Sequence, residues 1–250
     1  MTTLLIDGDI VIYKAALAAQ TSTDMGDGQY MLTADLDAAK ANFDEMISSF
    51  QRTLKAAKAI IALTDRENFR KEIMPSYKAN RKSVQRPLLL QPLREYVVSS
   101  YNAFIRPTLE ADDVLGILAT NPKIIKERKI IVSTDKDLRT IPALHWNPDK
   151  QDAPQRVSEE EADRFFYSQI LTGDPTDGYG GCPNVGKVKA AKLLCDVPVE
   201  DMWGIIVQQY EKAGLDVEAA LQTARVARIL RHVDYDYKER KPILWQPANQ

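Results

Sequence analysis

The chain is predicted to be an α/β protein: a parallel-rich central sheet with flanking helices, followed by a mostly helical C-terminal part. Three observations carry that prediction. Short apolar runs alternate with helix-patterned stretches through about residue 150, the order that builds a parallel sheet covered by helices. Most of those runs end in acidic residues, and open α/β sheets carry their working sites outside the carboxyl ends of the strands. Beyond residue 150 the strand-like runs stop and helical periodicity takes over.

Residues 3–6 read as a buried strand ending in Asp7 and Asp9, and Ile10 to Ala19 as the helix after it. Gly26 and Gly28 with Asp24 and Asp27 mark a loop. From Asp35 to Lys58, Leu36, Ala39, Phe43, Met46, Ile47, Phe50 and Leu54 recur at helical spacing, predicting a long amphipathic helix. A strand at 59–64 ends in Asp65. The basic segment after it cannot be one continuous helix, because Pro75, Pro87 and Pro92 interrupt it. Residues 102–106 suggest a short strand. Glu110, Asp112 and Asp113 open a helix that stops at Asn121-Pro122. A strand at 129–133 leads to Asp135 and Asp137. Ser158 and Glu161 form a capping box for a helix through Leu171 that stops at Gly173, with Ala162, Phe165, Phe166 and Ile170 buried. Asp174 and Asp177 follow, then a glycine-rich turn over 178–186 and helices to about Val233. The boundary expected from this pattern divides the chain into 1–157 and 158–250.

A chain of 250 residues with 44% hydrophobic and 27% charged residues has enough apolar side chains for a sizeable core. No apolar run approaches the roughly 20 residues a membrane-crossing helix needs, and the start lacks the features of a signal peptide. Cys182 and Cys195 form no closely spaced pair, which argues against a disulfide framework or zinc site and for a reducing cytoplasm. Net charge is −2, from 33 basic and 35 acidic residues, so partners are read from its distribution. Arg66, Arg70, Lys71, Lys78, Arg81, Lys82 and Arg86 crowd one segment, while the acids gather at strand ends. A basic segment beside an acidic pocket suits a polyanion whose reacting phosphate meets cations held by the acids.

Carboxylates brought together from several strands repel one another unless a divalent cation sits between them. Hard oxygen ligands select magnesium or manganese, and several of them can hold two ions. In Ser133-Thr134-Asp135-Lys136-Asp137, alternate residues leaving a strand point to one side, and Asp174 and Asp177 are spaced to share a helical face. Gly178 to Gly186, followed by Lys187, Lys189 and Lys192, is a glycine-rich turn entering a basic helix, a setting for phosphate groups. His145 and His232 have no nucleophile or ligand set beside them and read as structural.

Taken together, these segments resemble the 5′-nuclease or flap-endonuclease superfamily, and most of all the 5′→3′ exonucleases of podoviral bacteriophages. The resemblance is carried by Leu5-Ile6-Asp7-Gly8-Asp9, Asp65 with Phe69-Arg70-Lys71-Glu72, and Tyr77-Lys78-Ala79-Asn80-Arg81-Lys82. Glu110-Ala111-Asp112-Asp113, Ser133 to Asp137, Gly173 to Gly178 and Ala227 to Arg231 complete it. It implies a PIN-like nuclease core, with a helical arch at about 66–95 and a helix–two-turns–helix around Gly181 and Gly186. Asp7, Asp65, Glu110, Asp112 and Asp135 would hold a first Mg2+ or Mn2+ ion, and Asp137, Asp174 and Asp177 a second, with Asp113 counted in the acidic set. Lys78 and Arg81 would steady the scissile phosphate. Arg70, Lys71, Lys82, Gly181, Gly186, Lys187, Lys189 and Lys192 would meet DNA, with a K+ ion at the glycine-rich turn.

The implied activity is metal-dependent hydrolysis of DNA near a 5′ end, on a duplex, a flap or an RNA–DNA hybrid, in the cytoplasm of a phage host. The departures from the family pattern are Asp9 where many relatives are neutral, Asn184 where bacterial relatives have glycine, and Val188 where they have lysine. Two other readings fit parts of the sequence. Asp7-Gly8-Asp9 after a strand also opens haloacid-dehalogenase-type phosphatases, and a non-catalytic DNA-structure-binding protein needs only the basic segments.

Overall fold

The apolar runs pair into a six-stranded sheet in a computed structural model that describes residues 1–83 and 85–248, excluding the side chains of Lys82 and Ser83. In chain order the first elements are β1 (Thr2–Asp7), α1 (Gly8–Ala18), β2 (Gln20–Gly26), β3 (Gln29–Ala34), α2 (Leu36–Leu54), β4 (Lys58–Ala62) and α3 (Arg70–Ile73). Then come α4 (Leu90–Ser100), β5 (Ala103–Phe104), α5 (Ala111–Thr120), β6 (Arg128–Val132), β7 (Leu144–Trp146) and β8 (Gln155–Arg156). The C-terminal part holds α6 (Glu159–Thr172), β9 (Gly173–Asp174), β10 (Tyr179–Gly180), α7 (Lys187–Leu194), α8 (Met202–Lys212) and α9 (Val217–Ala227).

The sheet order is β5-β4-β1-β6-β7-β8, with every neighbour parallel except β8 on the edge. From β1 the chain moves outward through β4 and β5, then returns to the other side of β1 with β6. That reversal makes the carboxyl ends of β1 and β6 the switch point, where a crevice opens in such sheets. Asp7 closes β1, and Ser133 to Asp137 leave β6 beside it.

The period of two in the strands divides the core. Leu5, Ile60, Ala62 and Ile131 face α5 on one side. Leu4, Ile6, Ile61, Ile130 and Val132 face α1, α2 and α4 on the other. Strands covered on both faces read as unbroken apolar runs, which is why they stand out in the sequence. A third cluster joins α6 to α9 with Tyr77 and Tyr179.

Local chemistry sets the helix boundaries. Asp35 caps α2 by accepting from the N–H groups of Asp37 and Ala38, and Lys55 ends it in the left-handed region at φ 49°. Ser158 and Glu161 form the expected reciprocal capping box of α6. Pro92 falls in the first turn of α4, where its missing N–H costs no helical bond.

Two expectations are corrected. Residues 20–34 form an antiparallel hairpin with only its turn at Asp27 and Gly28, and its strands are largely exposed, Tyr30 and Met31 included. The strand expected over 102–106 covers only Ala103–Phe104. The basic segment holds α3, a 3-10 turn at Ala79–Ser83 and the start of α4.

Candidate active site

At the switch point the Asp7 carboxylate accepts from Ser133 Oγ at 2.8 Å and from the Ile10 N–H that opens α1. Asp9 lies one turn on, with both oxygens engaged: Oδ1 accepts from Arg94 on α4, and Oδ2 from the Thr64 N–H. This commitment makes Asp9 a brace between α1, α4 and the end of β4, and denies a haloacid-dehalogenase reading its second acid. Asp65 accepts from the Thr108 N–H at 2.9 Å and so ties the end of β4 to the loop before α5.

That loop delivers Glu110, Asp112 and Asp113. Glu110 is buried and accepts from Tyr77 Oη at 2.8 Å and Lys78 Nζ at 2.5 Å. Asp112 is half-buried and stands in the field of both Asp7 and Asp135. Asp113 corrects the sequence reading. It is fully buried, and Arg70 grips it through two hydrogen bonds of 2.7 Å. The N–H groups of Glu110 and Leu230 fill its remaining directions, so no lone pair is left to face a metal.

Arg70 corrects it as well. At 2% exposure, with its other donors on the carbonyls of Val226 and Arg228, it cannot reach DNA. The pair instead ties α3 and α5 to the segment after α9.

On the other flank, the Asp135 carboxylate is exposed and accepts from the Asp137 N–H. Lys136 Nζ lies 3.3 Å from both Asp137 and Asp174, and Gln169 on α6 donates to Asp137. Asp174 accepts from the Thr176 N–H, Tyr77 Oη lies 3.2 Å from Asp177 as well as against Glu110, and Arg81 pairs with Asp177 at 2.5 Å. Lys78 adopts φ 56°, a costly backbone region for a lysine, held by a bond from its N–H to the Asp177 carbonyl.

The electrostatics record the crowding. Burial, then the charge of Asp9, pushes Asp7 up to about 7, with Asp135 adding to the rise. Burial, then Asp7 and Asp135, drives Asp112 well above the usual carboxylate range. Burial and Asp135 lift Asp137 to about 6. Burial also raises Asp177 against the pull of Lys78 and Arg81. Glu110 resists its own burial and stays low because Arg70 and Lys78 stand against it. Asp174 likewise stays low through the Thr176 N–H and Lys136.

Among the described residues, no three acidic, His or Cys side chains stand in a ready-made coordination shell. The donor chemistry nonetheless fits hard divalent cations: carboxylate oxygens alone, several held above their ordinary range by burial and then by neighbouring carboxylates, a cost a cation would relieve.

The remaining basic residues are spread out. Lys71 and Arg81 are exposed, and the Lys82 side chain lies outside what the structure describes. Lys187, Lys189 and Lys192 are exposed around α7, whose N-cap is Gly186, with Val188 between them at 74% exposure. Gly181 has an internal role: a Cβ there would stand 2.3 Å from the Gly173 nitrogen, so the two backbones can pass only without side chains. Asn184 takes φ 60°, so it preserves the left-handed step that a glycine would supply.

Sequence reasoning missed Tyr77, Ser133, Lys136, Thr64 and Gln169. Of these, Gln169 had a visible signal, a polar residue beside Phe166 and Ile170 on the buried side of α6. The others give no periodic sign, since their roles arise from contacts between distant segments.

Known proteins resemble this chain in sequence and in fold. Residues 2–158 match the family described as 5′-3′ exonuclease, N-terminal resolvase-like domain. The chain is 31% identical over 281 residues to the exonuclease of Escherichia phage T7, covering 98% of this chain and 93% of that protein. It is 29% identical over 227 residues to the 5′-3′ exonuclease of Mycobacterium tuberculosis, covering 76% and 69%. Its fold matches that of the bacteriophage T5 D15 protein co-crystallised with metal ions, at a TM-score of 0.69 and 15% identity, covering 91% and 89% of the two chains.

Proposed function

The chain belongs to the 5′-nuclease superfamily, in the 5′-3′ exonuclease family with the phage exonucleases, and from that premise we propose a metal-dependent nuclease cutting DNA near a 5′ end. It acts as a 5′→3′ exonuclease or flap endonuclease in phage DNA replication or recombination, in the host cytoplasm. The observation that carries the reading is the convergence of Asp7, Glu110, Asp112, Asp135, Asp137, Asp174 and Asp177 beside Lys78 and Arg81 at one end of the sheet. In this reading Asp7, Asp65, Glu110, Asp112 and Asp135 hold one Mg2+ or Mn2+ ion, and Asp137, Asp174 and Asp177 a second. Two such ions, when bound, supply an activated water and stabilise the leaving oxygen.

The chain's own cations do the rest. Lys78 and Arg81 sit against Glu110 and Asp177, and with those carboxylates engaged by metal both would be free to face the scissile phosphate. There they stabilise charge that grows in the transition state. Ser133 and Tyr77 fix the carboxylates they touch. Across the division at 157/158, the second part adds Asp174 and Asp177 to this chemistry and carries the duplex-binding surface, in which Lys187, Lys189 and Lys192 meet phosphates along a duplex or an RNA–DNA hybrid. A K+ ion at the glycine-rich turn belongs to that interface. No covalent intermediate is involved, since no activated Ser, Cys or His takes part.

The test is digestion of 5′-labelled and 3′-labelled duplex, flap and hybrid substrates with and without magnesium, beside Asp135→Asn. We expect magnesium-dependent release from the 5′ end and at least a hundredfold loss in the variant, with the fold kept. Undiminished cleavage in excess EDTA, or Asp135→Asn within threefold of the parent, would end this reading.

A further inference from the structure

Helix α6 buries Ala162, Phe166, Ile170 and Leu171 in the C-terminal core, and Gln169 shares that buried side at 7% exposure. Its Nε2 donates to Asp137 Oδ1 at 2.9 Å. The carboxylate can only accept when ionised, so the amide's NH2 end must face it. The other end, Oε1, is buried and finds no hydrogen-bond partner among the described residues. A buried acceptor without a partner destabilises a fold, and a leucine or methionine would fill the same space without that cost. Stability therefore gives no reason for glutamine here. Its one directed contact gives a reason. Asp137 leads the 3-10 turn Asp137–Thr140, which packs on α6, and its other close side-chain contact is the solvent-facing Lys136.

Resting on the metal-dependent reading above, we propose that Gln169 is a positioning residue: its amide holds the Asp137 carboxylate in the orientation that receives a divalent cation. Lys136 cannot do this, because a flexible, 62% exposed side chain fixes no direction. A side chain buried on a helix can. Partners that orient metal-binding carboxylates from behind typically contribute about 10- to 100-fold in affinity or activity.

The experiment uses the full chain as parent, Gln169→Leu, Gln169→Met, Asp137→Asn and the Gln169→Leu/Asp137→Asn double variant. Melting temperature is followed while Mn2+ or Ca2+ is titrated, and kcat and KM are measured on a 5′-labelled duplex. Gln169→Leu and Gln169→Met should melt, without metal, at or above the parent temperature. Each should need about 10-fold more cation for the half-maximal rise and lose about 10- to 100-fold in kcat, with KM for DNA within threefold. In the double variant the losses should not add, because Gln169 acts only through Asp137.

Lower metal-free stability with an unchanged cation midpoint would make Gln169 a packing residue and overturn the proposal. So would failure of both single variants to fold, or fully additive losses. If the parent itself shows no rise with cation, it is the metal-dependent reading that fails. A normal parent response with an unshifted Gln169→Leu midpoint removes only the role of Gln169.

Discussion

Arg70 and Asp113 show how a charge pair can be written into a catalytic-looking motif and serve the fold instead. Both are buried, and every direction of the Asp113 carboxylate is filled by Arg70 or a backbone N–H. Removing one partner leaves a buried charge uncompensated, which costs about 3–5 kcal/mol. Arg70→Ala should therefore lower stability in urea denaturation by that amount. Arg70→Lys should recover little of it, because a lysine cannot reproduce the two-pronged grip or reach both carbonyls. A loss under about 1 kcal/mol, the scale of an exposed pair, with DNA affinity falling instead, would restore Arg70 to the DNA surface. Lys78 should behave in the opposite way. Its ammonium is raised by Glu110 and Asp177 despite burial, so it stays charged well above neutral pH. Lys78→Ala should slow single-turnover cleavage by at least tenfold, by the scale of one transition-state donor removed. Equal losses in binding and rate at saturating enzyme would make Lys78 a plain phosphate ligand. The two cases also mark where the sequence is silent. Arg70 stands in a run of basic residues and Asp113 in a run of acids, and nothing in the order of residues says which of each turns inward.

At the scale of elements, legibility follows burial. β1, β4 and β6 are covered on both faces and read directly as apolar runs, and α2 and α6 declare themselves by period and by their caps. The hairpin of β2 and β3 is largely exposed, and with β2 mostly polar and only Tyr30-Met31-Leu32 apolar in β3, no buried-strand pattern marks it. The acids were visible because they end buried strands, whereas Tyr77, Lys136 and Ser133 owe their places to the packing of distant segments. Helix α7 has the clearest elemental prediction. Its lysines are exposed and make no salt bridge among the described residues. If they neutralise duplex phosphates, removing one such lysine–phosphate pairing should reduce the slope of log affinity against log salt by about 0.9. A Lys187→Ala/Lys189→Ala/Lys192→Ala variant should bind every duplex sequence more weakly with a shallower slope. The slope change should correspond to one or two phosphates, since these helical positions point different ways. Its chemical step at saturating enzyme should stay near normal. An unchanged slope with a collapsed rate would assign α7 to the catalytic end.

Across the whole molecule, folding works against the charge of its own site. Four acids, Asp7, Asp112, Asp137 and Asp177, are raised by burial and by neighbouring carboxylates, Asp7 to about 7 and Asp137 to about 6. An unfolded aspartate titrates near about 3.9. Between about pH 4 and 7 the folded chain therefore holds more protons than the unfolded one, and stability falls as pH rises through that window. For Asp7, a rise of about 3 units corresponds to a loss on the order of 4 kcal/mol. Glu110 and Asp174 are lowered, so their contribution is complete above the unfolded value and adds no slope there. His145, lowered by burial, opposes the trend below about pH 6.5, one group against four. In EDTA, the melting temperature should thus fall between pH 5 and pH 8. A divalent cation that binds only the folded, ionised cluster reverses this, because it stabilises in proportion to its occupancy and competes with the same protons. Excess Ca2+ or Mg2+ should raise the melting temperature strongly at pH 8 and weakly at pH 5. Scanning calorimetry at the two pH values, with and without cation, measures both slopes. A metal-free melting temperature that climbs from pH 5 to pH 8 would show that the acids do not repel one another in the folded chain, and a cation effect equal at both pH values would place the binding elsewhere.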